Sequence, residues 1–228
     1  MIWTEPAKRD LRAALNQAGD PAPEVILAVS SDSELFHKEL IELSDVFVLV
    51  DHHIPREAGS QCKVTFPSVS PRTSSITSPM LITKDLMQRS SENKTFCISI
   101  NLAVLKFATD AGNPGSRCDS EDEVAYSEVC QLNSAVPVYD MNWMTASLSD
   151  SRQFYTFEKA EMLLSKVLFL KAWFPTLCVA AFHAELDAVD REACPQSEQY
   201  ARLLSVRKAL DSAVHGENHW KRNAVDVA

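Results

Sequence analysis

Three polar clusters in this chain hold residue types suited to metal and phosphoryl chemistry: Ser30-Ser31-Asp32, Asp51-His52-His53 and Asp110. The first two follow directly on apolar runs of strand length, Val25-Ile26-Leu27-Ala28-Val29 and Val46-Phe47-Val48-Leu49-Val50. Carboxylates beside imidazoles form an N,O donor set that suits Mn²⁺, Mg²⁺, Co²⁺ or Zn²⁺. Two such ions activate a water and clamp phosphoryl oxygens. Singly, each cluster has a plain structural explanation. An Asp after a strand commonly caps the next helix, an adjacent His pair in a loop is commonly incidental, and Asp110 near Gly112 shapes a turn. Their common placement past apolar runs is what raises them above that.

The elements that must position these groups start with a strand–helix–strand unit. Ser33 to Leu43 places Leu35, Phe36, Leu40 and Leu43 on one side of a helix between the two apolar runs. Neither run alternates with polar residues, as strands covered on both faces read. A parallel α/β sheet with a right-handed crossover follows. In such sheets ligands bind at the C-terminal ends of the strands, where Asp32 and Asp51-His52-His53 fall.

Along the rest of the chain, Lys8 to Gln17 predicts a short amphipathic helix. Ala58 to Ser75, rich in Ser, Pro and Thr, predicts a loop with one edge strand at Lys63 to Phe66. Ser78-Pro79 has the pattern of a helix start, with Met80 to Gln88 as its body. Thr95 to Ala108, Glu121 to Leu132, Phe154 to Leu170, Ala180 to Val189 and Gln196 to Val214 are each expected as helices, the last with Tyr200, Leu203, Leu204 and Leu210 inward. Asn133 to Asp150 is the expected boundary region. It divides an α/β domain, 1–140, from a shortened helical or α/β part, 141–228.

The formal net charge of −9 argues against duplex nucleic acid as a partner, because an acidic protein repels phosphate backbones. A small phosphorylated substrate stays compatible if bound metal supplies local positive charge. The six cysteines include no CxxC pair, which argues against a zinc knuckle or a thioredoxin-type site. They are expected as reduced, mostly buried thiols. The N-terminal residues do not read as a signal peptide, and no apolar run reaches the ~18 residues of a membrane span. A cytoplasmic protein with no membrane partner is the expectation.

Val46 to Val50 running into Asp51-His52-His53-Ile54-Pro55 resembles the name-giving motif of the DHH phosphoesterases. Ile26 to Asp32 resembles the preceding metal-aspartate motif of that family, Ser74-Ser75-Ile76-Thr77 the start of the helix that follows, and Thr109-Asp110-Ala111-Gly112-Asn113 its fourth motif. Within the superfamily the resemblance is to the exopolyphosphatase and Prune branch. It is carried by the spacing from Lys8 to Asp32, Leu35 and Leu40, by Leu148-Ser149 with Arg152-Gln153 and Lys159, and by Ser205-Val206-Arg207-Lys208. Residues 1–20 contain no Asp-x-Asp, the family's first motif.

The resemblance implies a parallel-sheet core flanked by helices and a metal-dependent hydrolase of phosphoanhydride or phosphodiester bonds. Polyphosphate, pyrophosphate or a small nucleotide would be the substrate. It implies Asp32, His52 and Asp110 as metal ligands, with Mn²⁺ or Mg²⁺ (Co²⁺ or Zn²⁺ as alternatives) as cofactor. His53 would contact substrate phosphate, Asp51 would orient a histidine, and Arg207 and Lys208 would hold a distal phosphate. The alternative is a catalytically degraded Prune-like protein that acts through protein partners. A single-strand nuclease is a third reading, disfavoured by the acidic balance and the lack of clustered Lys/Arg. His183 is expected at a core edge, His37 exposed on a helix, and Trp143, Trp173 and Phe174 in the core. Asp119, Glu121, Asp122 and Glu123 are expected as a solvated helix start.

Overall fold

The computed structural model describes residues 26–30, 44–50, 52, 61–66, 94–110, 112–132, 136–141, 144–189, 194 and 198–214. Four strands form a parallel sheet: β1 (Ile26–Ser30), β2 (Val46–Val50), β3 (Thr95–Asn101) and β9 (Cys178–Phe182), in spatial order β1-β2-β3-β9. The two strands expected from the apolar runs form and pair in parallel, Ile26 opposite Val46 and Val29 opposite Leu49. β3 is buried from Phe96 to Asn101, the pattern of a strand covered on both faces.

A second sheet lies between β3 and β9 in the chain. It is antiparallel throughout and has five strands in the order β5-β4-β8-β7-β6. These are β4 (Val104–Ala108), β5 (Ser120–Val124), β6 (Val138–Asp140), β7 (Thr145–Asp150) and β8 (Gln153–Phe157). The architecture is therefore not the expected DHH-type parallel sheet flanked by helices. Four of the expected helices are corrected in the same step. Residues 95–108 form β3 and β4, and 121–132 form most of β5 and the short helix α1 (Tyr126–Cys130). Residues 154–170 divide between β8 and helix α2 (Ala160–Trp173). Residues 180–189 hold the end of β9 and a 3-10 turn (Ala184–Asp187). A continuous apolar stretch has no periodicity to separate a buried helix from a buried strand. The β-branched and aromatic residues Phe96, Ile98, Ile100, Val104 and Phe107 favour the strand.

α2 is built from good helix formers and stops before Pro175. Leu163, Lys166, Val167 and Leu170 recur at helical spacing on its buried side. Leu170 joins Val29, Phe47, Phe96 and Ile98 of the parallel sheet, while Leu163 and Val167 meet Ile100, Leu102 and two residues of α3 (Ala201–Val214), Val206 and Ala209. The buried side of α3 matches the expected one in part: Leu203 and Leu210 pack on the core beside the buried Arg202, Val206 and Ala209, while Tyr200 and Leu204 are exposed. Phe174 packs on the core, but Trp173 is exposed, against expectation. The antiparallel sheet has a core on each face. Val104, Ala146, Leu148, Tyr155 and Phe157 pack with Val129 of α1, and Leu105, Phe107 and Phe154 pack with Val64 and Cys118.

Residues 61–66 are not the expected edge strand beyond a single bridge, Lys63 to Arg117. They lie against residues 115–118 through Val64 N–H to Ser116 O, Gly115 N–H to Val64 O and Cys118 N–H to Cys62 O, at 2.8, 2.8 and 3.0 Å. The expectation of reduced thiols is also corrected. The six cysteines form three disulfides: Cys62–Cys118, Cys97–Cys178 and Cys130–Cys194. Spacing along the chain hid this, because the partners are 56, 81 and 64 residues apart and meet only in the fold. No helix among the described residues is long and apolar enough to cross a membrane.

Candidate functional site

The C-terminal ends of β2, β3 and β9 converge on one polar and aromatic cluster. His52 follows β2 and is buried, and its backbone N–H donates to Ser99 Oγ of β3 at 3.2 Å. Phe182, the last residue of β9, brings its ring to 4.4 Å from the His52 ring. His183 comes next in the chain, with its ring edge-on to His52 at 6.2 Å. His183 has φ of +57°, a left-handed conformation uncommon for a residue with a side chain. Such conformations collect at functional sites.

The antiparallel sheet supplies the fourth wall. Glu123, on β5, offers Oε2 to His183 Nε2 at 3.3 Å and accepts a hydrogen bond at Oε1 from Asn101 Nδ2 at 3.2 Å. Asn101 ends β3, is fully buried, and accepts at Oδ1 from Ala103 N–H at 2.8 Å. Glu185 Oε1 faces the other imidazole nitrogen, Nδ1, at 3.5 Å from the exposed side. The cluster therefore joins ring faces, an amide and two carboxylates within one edge of the parallel sheet. Such an edge carries the ligand site in open α/β sheets and in barrels built from them.

Two charged groups pin the chain around this edge. Arg202 of α3 donates from Nε to Asp187 Oδ1 at 2.6 Å, with both side chains buried, and donates from Nη2 to Leu102 O. Its guanidinium lies over the Tyr126 ring, 4.4 Å from the centroid. Burial pushes the Tyr126 phenol above its ordinary value, and the positive charge of Arg202 pulls the other way. A second buried pair, Lys166 with Glu158, ties α2 to the end of β8.

Of the residues expected to hold metal and phosphate, the described ones, His52, Asp110, Arg207 and Lys208, lie in separate places. His52 is at the sheet edge. Asp110 is exposed beyond the far end of β4 and pairs with Arg152 at 3.1 Å. Arg207 and Lys208 are exposed on α3, with Arg207 3.8 Å from Asp211 one helical turn on. Asp32, Asp51 and His53 lie outside the described residues, as do His37 and Trp143. Among the described residues no three His, Cys, Asp or Glu side chains gather as a metal cluster. Glu123 and His183 were missed as site residues. Glu121, Asp122 and Glu123 of the acidic run belong to β5 rather than to a helix start, and His183 follows a strand rather than riding a helix. The available signal was a polar residue just past an apolar run, the same pattern that singled out His52.

No protein-family model matches the sequence. No curated protein matches it. Solved structures do match in fold. The Group II chitinase catalytic domain 2 of Ostrinia furnacalis has a TM-score of 0.70 at 12% identity, over 91% of this chain and 59% of that one. Human YKL-39, described as a pseudo-chitinase with retained chitooligosaccharide binding properties, has 0.67 at 14%, over 90% and 63%. The chitinase-like agglutinin RobpsCRA from Robinia pseudoacacia has 0.65 at 14%, over 90% and 62%. The chain spans about three fifths of the length of the structures it matches. These likenesses overturn the DHH phosphoesterase resemblance, and with it the exopolyphosphatase and Prune assignment and the phosphoanhydride chemistry that the assignment carried. A four-stranded parallel sheet interrupted in the chain by a five-stranded antiparallel one gives this chain the TIM-barrel-like fold of these chitinase and chitinase-like structures.

Proposed function

We propose that this chain binds chitooligosaccharides at the C-terminal edge of its parallel sheet. The carrying observation is the convergence of Phe182 and His52 rings with Asn101, Glu123 and His183 at that edge. A pyranose ring presents an apolar face, which suits the rings. Its hydroxyl and acetamido groups need donors and acceptors fixed in direction, which suits the amide, the carboxylates and the imidazoles. The fold likeness to a chitinase, a pseudo-chitinase that retains chitooligosaccharide binding and a chitinase-like agglutinin supports this ligand class.

Binding, rather than cleavage, is the reading carried by the described side chains. Glycoside hydrolysis needs a carboxyl group disposed to give its proton to the leaving oxygen. Of the two carboxylates at the edge, Glu123 has both oxygens engaged, one by Asn101 and one facing His183, and Glu185 turns an oxygen to His183 from the exposed side. Three disulfides fit an oxidising compartment, and secretion is part of the proposal.

Titration calorimetry with chitopentaose, with cellopentaose as control, tests the reading. Saturable binding of chitopentaose that cellopentaose does not reproduce is the expected result. Heat changes from neither sugar would end the proposal. Chromatography of the same samples for shorter products separates a binder from a hydrolase.

A further inference from the structure

Asn101, Glu123 and His183 come from three separate segments, and all three segments meet one buried side chain outside the cluster. Leu102, next to Asn101, gives its carbonyl oxygen to Arg202 Nη2. Its N–H donates to Phe182 O at 3.0 Å, so this one residue links the ends of β3 and β9. The 3-10 turn after His183 ends at Asp187, whose Oδ1 accepts from Arg202 Nε and whose Oδ2 accepts from Leu203 N–H at 2.9 Å. β5, which carries Glu123, runs through Ala125 into Tyr126, whose ring lies under the guanidinium. Arg202 is 1% exposed, so none of these contacts is exchanged with water.

We propose that Arg202 is the positioning residue of the candidate site, setting the relative placement of Asn101, Glu123 and His183 through Leu102, Tyr126 and Asp187. The inference rests on the chitooligosaccharide reading for its ligand and on the contacts above for its geometry. A planar guanidinium is suited to this task. It donates in two directions in its plane while its face stacks on an aromatic ring. A lysine keeps the charge and supplies neither the fork nor the stacked plane. The left-handed backbone of His183 makes such support necessary, because that conformation persists only where surrounding contacts hold it.

The test uses the full chain labelled with ¹³C-histidine, in wild-type, Arg202→Lys, Asp187→Asn and Lys166→Met forms. Lys166→Met breaks the other buried ion pair and is the control for general destabilisation. The His183 Cε1–H resonance, identified by its loss in His183→Gln, reports the site without ligand. Calorimetry with chitopentaose reports the ligand. Arg202→Lys and Asp187→Asn are expected to shift the His183 resonance and weaken binding about tenfold or more, the scale of a lost charge-assisted hydrogen bond. Lys166→Met is expected to lower the melting temperature and leave both readouts in place. Asp187→Asn carries the test if Arg202→Lys does not fold. An unchanged His183 resonance in the folded variants overturns the proposal, and so do equal shifts in Lys166→Met. If the wild-type protein binds no chitopentaose, the binding reading fails, and the His183 resonance still decides the role of Arg202.

Discussion

Glu123 holds two strand ends in one arrangement by offering one oxygen to Asn101 and the other toward His183. Glu123→Gln leaves an acceptor for Asn101 and removes the negative charge opposite the imidazole. Chitopentaose affinity is expected to fall about tenfold or more, with the far-ultraviolet circular dichroism unchanged; unchanged affinity would place the ligand elsewhere. At this scale the chain was legible in part. His52 stood out because it follows an apolar run, and it lies at the C-terminal edge of the parallel sheet beside Phe182 and His183, while Asp110 pairs elsewhere with Arg152. Its neighbours come from β3, from the end of β9 and from His183, far along the chain, and no local spacing announces them.

At the scale of elements, the stretch Thr95 to Ala108 shows why helix and strand were confused. It is apolar almost throughout, and in the fold it is buried almost throughout, first in β3 and then in β4. Periodicity appears only when one face meets water. The loop after β4 supplies a sharper case. Gly112 lay within a presumed metal motif, but its role is close packing: a Cβ there would fall 2.8 Å from Ser149 Oγ and 2.9 Å from Phe154 Cδ2. The Phe154 ring is in the core with Leu105 and Phe107 and has little room to yield. Gly112→Ala is expected to lower unfolding free energy by about 1–3 kcal/mol in urea titration, through overpacking. An unchanged midpoint would show that the loop moves aside.

At the scale of the whole molecule, the disulfides are the largest long-range constraint. Cys130–Cys194 joins the end of α1 to the segment before α3 across 64 residues. A loop of that length restricts the unfolded chain by about 4 kcal/mol in the chain-entropy treatment. The paired substitution Cys130→Ser with Cys194→Ser is expected to lower stability by about 2–4 kcal/mol in denaturant titration. Thiol titration of the unreduced native protein should find no reactive cysteine, and six free thiols would refute the pairing. Alkaline pH acts on the same scale. Burial raises the phenols of Tyr126 and Tyr155 above 10.0, and hydrogen bonds to Glu128 and Tyr139 raise Lys106 and Lys159 above 10.5. The folded state then holds more protons than the unfolded one, so the stability from these groups is present below about pH 10 and is lost as pH rises through the raised values. Burial lowers Lys171 and opposes this trend. Melting temperatures between pH 8 and pH 11 should decline, and a flat profile would contradict the sign.

The sequence by itself determined that β1 and β2 are strands, that they pair in parallel, and that His52 follows β2 at the C-terminal edge of the sheet. Each of these rests on a short run of residues and its immediate neighbours. The tertiary structure alone decided the partners of the cysteines, the antiparallel sheet placed between β3 and β9, and the meeting of His183 with His52 and Glu123. It also overturned the phosphoesterase reading, because the Asp-His-His run is local while the fold that hosts it is not. Strand ends far apart in the chain become one site only when the sheet sets their register and buried groups such as Arg202 hold them there.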